Sequence, residues 1–126
     1  MQHQDFRQRI IGTLPAGTVL PNPGGGNTVI VSYTDHNIVY QRGNSRICVA
    51  FKDLYEAYKM FRGGILDSTK LREYKPWVFD SKRGGHSCNC TFLFMVLRAI
   101  GVVDTIAGAG KKGDPFWVKI PENMDC

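Results

Sequence analysis

No apolar run in this 126-residue chain is longer than the six residues Phe92–Leu97, far short of the roughly 20 that a helix needs to cross a bilayer. The amino terminus, Met1-Gln2-His3-Gln4-Asp5, is polar with no apolar stretch behind it, so no export signal is expected. Four cysteines, Cys48, Cys88, Cys90 and Cys126, are therefore expected to stay reduced, in a cytoplasmic protein without a membrane partner. The common catalytic templates are missing too. Three scattered histidines do not build a metal-dependent nuclease, and no carboxylate pair has a spacing suited to sugar hydrolysis. Gly108-Ala109-Gly110-Lys111-Lys112 lacks the first glycine and the final hydroxyl of a phosphate-binding Walker loop. Glu56 and Lys59, with only Asp53 nearby, describe a solvated helix face rather than a nuclease carboxylate–lysine set. These absences leave a non-enzymatic binding protein, needing no cofactor, as the expected class.

What is present is enough for a packed core. Hydrophobic residues make up 43% and charged residues 21%, which excludes wholesale disorder and fits one domain. Lys and Arg number 16 against 11 Asp and Glu, a formal charge of +5, and the isoelectric point is near 9.2. Such a surplus suits a polyanionic partner without requiring one.

The hydrophobic period divides the chain into two parts. Arg9–Leu14 is a predicted strand, ended by Pro15-Ala16-Gly17, and Pro21–Gly26 is a loop. Thr28–Tyr33, Asn37–Gln41 and Arg46–Phe51 are rich in Val, Ile and Tyr and separated by short polar turns, which predicts an antiparallel meander with one buried face. From Phe51 the period becomes helical: Phe51, Leu54, Tyr55, Tyr58 and Phe61 share a face, and Gly63-Gly64 stops the helix. A second helix spans Ser68–Tyr74, capped by Asp67 or Ser68 and ended before Pro76. A third, apolar nearly all round, spans Asn89–Ile100. Val102–Ile106 and Phe116–Ile120 are predicted strands joined by a basic, mobile loop, and 121–126 is a tail. The expected fold is α+β: a single domain with a meander lobe (1–51) packed on a helical lobe (52–120).

From Ile65 to Ile120 this order of elements resembles that of winged-helix DNA-binding domains and, more loosely, small DNA-reading modules attached to restriction enzymes. On that resemblance Ile65-Leu66 would be the first strand, Ser68–Tyr74 the supporting helix and Asn89–Ile100 the recognition helix. Val102–Ile120 would be the wing, with Lys111 and Lys112 at its tip. Two features depart from the pattern. The connection Lys75–Ser87 is longer than the usual tight turn. The presumed recognition helix also offers few polar side chains, with Thr91, Met95 and Arg98 on one stripe.

The candidate site is cationic. Lys82 and Arg83 precede Ser87 and Asn89 at the start of the apolar helix, where free N–H groups and a partial positive charge favour a phosphate. Thr91, Arg98, Lys111 and Lys112 would add contacts, and Arg42 and Arg46 would extend the basic surface. The implied partner is DNA; the alternatives are a small anionic ligand or a protein partner bound in the same loops. A third reading, a zinc or thiol site at His86, Cys88 and Cys90, has suitable ligand types but an atypical spacing. Tyr33 and Tyr40 are expected to close a core edge rather than stack bases. Trp77 and Trp117 are expected to pack against Phe79 and Phe116.

Overall fold

A computed structural model describes residues 1–122. The chain opens with a helix, α1 (His3–Thr13), where a strand was predicted over Arg9–Leu14. Phe6, Ile10 and Leu14 recur every four residues and are all buried, a helical stripe that the polar residues between them obscure. Pro15 then excludes the helical conformation from Leu14, whose φ is −124° and ψ 66°.

Four strands follow: β1 (Val19–Pro21), β2 (Asn27–Tyr33), β3 (Asn37–Arg42) and β4 (Ser45–Ala50). They form an antiparallel sheet in sequence order, and β2–β4 match the predicted meander. β1 was not foreseen, because Val19–Pro21 abuts a proline- and glycine-rich run. It pairs with β2 in the register Val19↔Val29 and Pro21↔Asn27, and 22–26 is the turn of that hairpin. The buried Thr28 hydroxyl donates to Asn22 Oδ1 at 2.6 Å and fastens the turn to the sheet. The inward face carries Thr28, Ile30, Ile38, Tyr40, Ile47 and Val49, the period of two that a half-buried sheet requires.

β4 runs without a loop into α2 (Phe51–Phe61), which buries Phe51, Leu54, Tyr55, Ala57 and Tyr58. β5 (Ile65–Asp67) leads into α3 (Ser68–Tyr74), where the Asp67 carboxylate accepts the Lys70 N–H at 2.8 Å as the N-cap. The long connection then folds as α4 (Pro76–Phe79) and a 3-10 turn over Ser81–Arg83. Pro76 suits the first position of α4, where no N–H is needed. Next comes α5 (Cys88–Ala99). Phe92 to Leu97 are all buried, so α5 is the central core helix. The Phe92 ring stacks on Tyr40 with centroids 3.9 Å apart, joining it to the sheet. Met95 is buried as well, which interrupts the expected outward stripe of Thr91, Met95 and Arg98.

Val102–Ile106 is not a strand. Val102 and Val103 are buried, and both their N–H groups reach back to Leu97 O across the end of α5. β6 (Trp117–Lys119) is narrower than predicted and pairs antiparallel with β5, Leu66 opposite Val118. Between them a single bridge, Ala107↔Trp117, starts an irregular hairpin whose tip is closed by Lys111↔Asp114. One apolar cluster runs through both predicted lobes, from Phe6 and Ile30 to Phe94 and Ile120. The architecture is α+β, with the antiparallel sheet in the N-terminal half. No helix among the described residues is long and apolar enough to cross a membrane. The predicted tail lies, from Asn123 onward, outside the described residues.

Candidate functional site

The polar residues at the start of α5 do not share one environment. Asn89 is 2% exposed. Its Oδ1 accepts the Tyr40 hydroxyl at 2.7 Å, and its Nδ2 donates to Val78 O at 2.9 Å. The predicted ligand contact is thus a structural link between β3, α4 and α5. The N–H groups of Asn89 and Cys90 are engaged locally with His86 O and Ser87 O. Ser87 and Thr91 are half-buried on a different side of the helix.

That side faces a groove of about 450 Å³. Arg42 reaches it from the end of β3, Ser68, Thr69 and Arg72 from α3, Ser87, Cys90 and Thr91 from α5, and Lys111 and Lys112 from the hairpin tip. Four cations and four hydroxyls therefore converge from four parts of the chain, and no carboxylate is among the described residues lining the groove. Coulomb repulsion between like charges disfavours their gathering unless something else fixes the scaffold. At the tip, Gly110 N–H donates to Asp114 O, Asp114 N–H donates to Lys111 O, and the Asp114 carboxylate accepts the Ala109 N–H at 3.1 Å. The loop expected to be mobile is a closed turn. Gly110, at φ +72°, lies so close to the Phe116 ring that an added Cβ would fall 2.2 Å from it, so any other residue would strain the backbone and displace the ring.

Sequence reasoning missed Ser68, Thr69 and Arg72. They occupy one face of α3 at spacings of three and four, a pattern visible in the sequence but indistinguishable from an ordinary solvated face. The Arg72 Nη2 lies 3.4 Å from Thr69 Oγ1.

Lys82 and Arg83 do not line the groove, and of the two Arg83 touches a residue that does. Arg83 Nη2 donates to Arg72 O at 3.3 Å, and its Nε pairs with Asp80 at 2.9 Å. Asp80 also accepts the Lys82 N–H at 3.0 Å. The Arg83 guanidinium, followed by the Lys82 N–H, holds the Asp80 carboxyl below the usual carboxylate range. Arg98 is exposed in the last turn of α5, about 10 Å along the axis from Thr91 at 1.5 Å per residue, and stands apart. Arg46, exposed on β4, donates to Gln41 Oε1 at 3.2 Å and is likewise outside the groove.

The thiol and metal reading meets two obstacles. Cys90 is 1% exposed, and burial pushes its thiol up to about 12 against the opposing charge of Arg72, the reverse of what a nucleophile needs, while Cys88 is half-buried at the start of α5. Among the described residues no group of three or more His, Cys, Asp or Glu side chains could hold a metal ion; Cys126 lies outside them.

Comparison with protein families, characterised proteins and solved structures finds no match.

The aromatic expectations divide. Tyr40 is buried, as is most of Tyr33, whose hydroxyl donates to Leu14 O; burial raises the Tyr33 hydroxyl to about 12. Both tyrosines close the core, as expected. Trp77 does not pack as predicted: it is 63% exposed.

Proposed function

We propose that this protein binds DNA without catalysis, seating backbone phosphates in the groove formed by Arg42, Arg72, Lys111 and Lys112. The convergence of those four cations without an opposing carboxylate in the described lining supports this reading most directly. Hydroxyls from Ser68, Thr69, Ser87 and Thr91 would complete the hydrogen bonds to phosphate oxygens. Beyond the rim Lys82 is exposed and Arg83 is paired with Asp80. On this reading phosphate contact runs through α3, the first turn of α5 and the hairpin tip rather than through base reading by an exposed helix. The proposed setting is the cytoplasm.

The test is a mobility-shift titration on duplex DNA over a range of salt. Each neutralised phosphate contributes about 0.9 to the slope of log affinity against log salt, so the groove cations alone give about 3.6. The double change Lys111→Ala and Lys112→Ala should lower that slope by about 1.8. A flat salt response, or no shift at low salt with either duplex or single-stranded DNA, defeats the proposal.

One observation favours a second reading. A groove of about 450 Å³ also falls within the ~300–1,000 Å³ typical of small-molecule sites. A phosphorylated metabolite or nucleotide bound there would raise the melting temperature in proportion to the logarithm of its concentration, while DNA would leave it unchanged.

A further inference from the structure

The exposed indole belongs to a second groove, of about 310 Å³, beside the first. Trp77, Val78, Gly84 and His86 line it together with Cys48 and Val49 of β4 and with Asp53, whose carboxylate is paired with Lys75 at 3.1 Å. The two grooves flank the first turn of α5, with Ser87 and Cys90 facing one and His86 and Asn89 the other. The 3-10 turn touches a residue of the first groove and is followed by a residue of the second. Arg83 sits on the carbonyl of Arg72, which lines the first groove. Gly84, the next residue, lines the second, and Lys82, in the same 3-10 turn, is exposed.

The platform under Trp77 is fixed. Val78 O accepts two hydrogen bonds at 2.9 Å, from the His86 N–H and from Asn89 Nδ2. Gly85 is packed so tightly on α4 that an added Cβ would fall 2.5 Å from Val78 C and 2.7 Å from Pro76 O. An exposed aromatic side chain carried on a fixed backbone, close in sequence to Lys82 and Arg83, suits an unpaired base whose phosphates are held electrostatically.

We propose that the partner is single-stranded DNA, with one base stacked on Trp77 and the phosphates running over Lys82 and Arg83 into the groove of Arg42, Arg72, Lys111 and Lys112. This rests on the phosphate-binding reading above and adds to it a site for a base. Base pairs in an intact duplex stay stacked on one another and cannot offer a free face to the indole, so Trp77 separates single strands from duplexes while the cations do not.

The experiment compares an oligothymidylate of about 15 nucleotides with a duplex of equal length. The chain has two tryptophans, so Trp117→Phe leaves Trp77 as the sole indole emitter. Its fluorescence should be quenched as the oligothymidylate saturates the protein. Trp77→Ala should weaken single-strand binding roughly 5- to 150-fold and change duplex binding less than about two-fold, with Trp77→Phe recovering much of the loss. Because the side chain is exposed, the variants are expected to fold; their melting temperatures verify it. Oligothymidylate binding with no quenching, an unchanged affinity for Trp77→Ala, or equal losses on both DNA forms would overturn the stacking site and leave the phosphate groove standing. Failure of the wild-type protein to bind either form would remove both.

Discussion

Two buried polar side chains show how differently the core treats such groups. The Asn89 amide is fully buried and bonded at both atoms, to the Tyr40 hydroxyl and to Val78 O. Tyr58 is also fully buried, yet among the described residues its hydroxyl has no hydrogen-bond partner. An unmet buried hydroxyl costs about 1–3 kcal/mol. Tyr58→Phe should therefore be neutral or raise stability by up to about 1 kcal/mol, read as a shift of the urea midpoint at constant slope. A loss above about 1 kcal/mol would mean that the hydroxyl is satisfied. The residue types needed for the groove were visible in the sequence: Arg42, Ser87, Thr91, Lys111 and Lys112 were selected there and do line it. Charge and hydroxyl chemistry can be read from composition and loop position. Facing cannot, which is why Asn89, two residues from Ser87 on α5, turned inward.

At the scale of elements, legibility followed the strength of the periodic signal. β2–β4, α2 and α3 fall within a residue or two of prediction, because alternation or a helical stripe continued long enough to be distinctive. α1 was missed because Ile10-Ile11 favours a strand locally while its helical partners, Phe6 and Leu14, stand four residues away on either side. Packing against Tyr55 and Tyr58, with the Phe6 and Tyr58 rings stacked at 6.0 Å, overrides that propensity. Val102-Val103 has the composition of a strand, yet no neighbouring strand pairs with it and α5 covers it instead. The junction between α4 and α5 carries its own expectation. Gly85→Ala places a methyl group against the backbone of Val78 and Pro76, which cannot yield as a side chain would. The substitution should destabilise by about 1–3 kcal/mol, measured by denaturant unfolding, and should change Trp77 emission in the Trp117→Phe background. Wild-type stability and an unchanged spectrum would show that α4 is not held by this contact.

For the molecule as a whole, acid should be a sensitive probe. The Lys75 ammonium lies between helices, 3.1 Å from Asp53 and 2.5 Å from Glu56 of α2, and so ties α2 to the corner between α3 and α4. Its hydrogen bond holds the Glu56 carboxyl below the ordinary range, against a smaller opposing effect of burial. Burial alone would lower Lys75, but its bonds to Glu56 and Asp53 outweigh that and raise it. A depressed carboxyl contributes stability above its unfolded pKa and loses it as pH falls through the folded value; a raised ammonium contributes below its unfolded pKa and loses it as pH rises through the folded one. Glu56 and Asp80 therefore predict a decline below the normal carboxylate range, and Lys75 a second decline in strong alkali. Urea unfolding from pH 7 down to pH 3 should show the acid decline, and Glu56→Gln should reduce its steepness. An unchanged profile in that variant would exclude the Lys75 tie as a contributor.

The Asn89 link has a geometric corollary. Tyr40 precedes Arg42 by two residues on β3, and Val78 follows Trp77 directly on α4, so one amide spans the supports of both grooves. Under the proposed single-strand reading, whichever groove a strand entered first, its free portion would be tethered near the other and would meet it at raised local concentration. Selectivity by oligonucleotide length follows: chains too short to bridge both grooves would gain only one grip, and affinity would rise in a step once the span is reached.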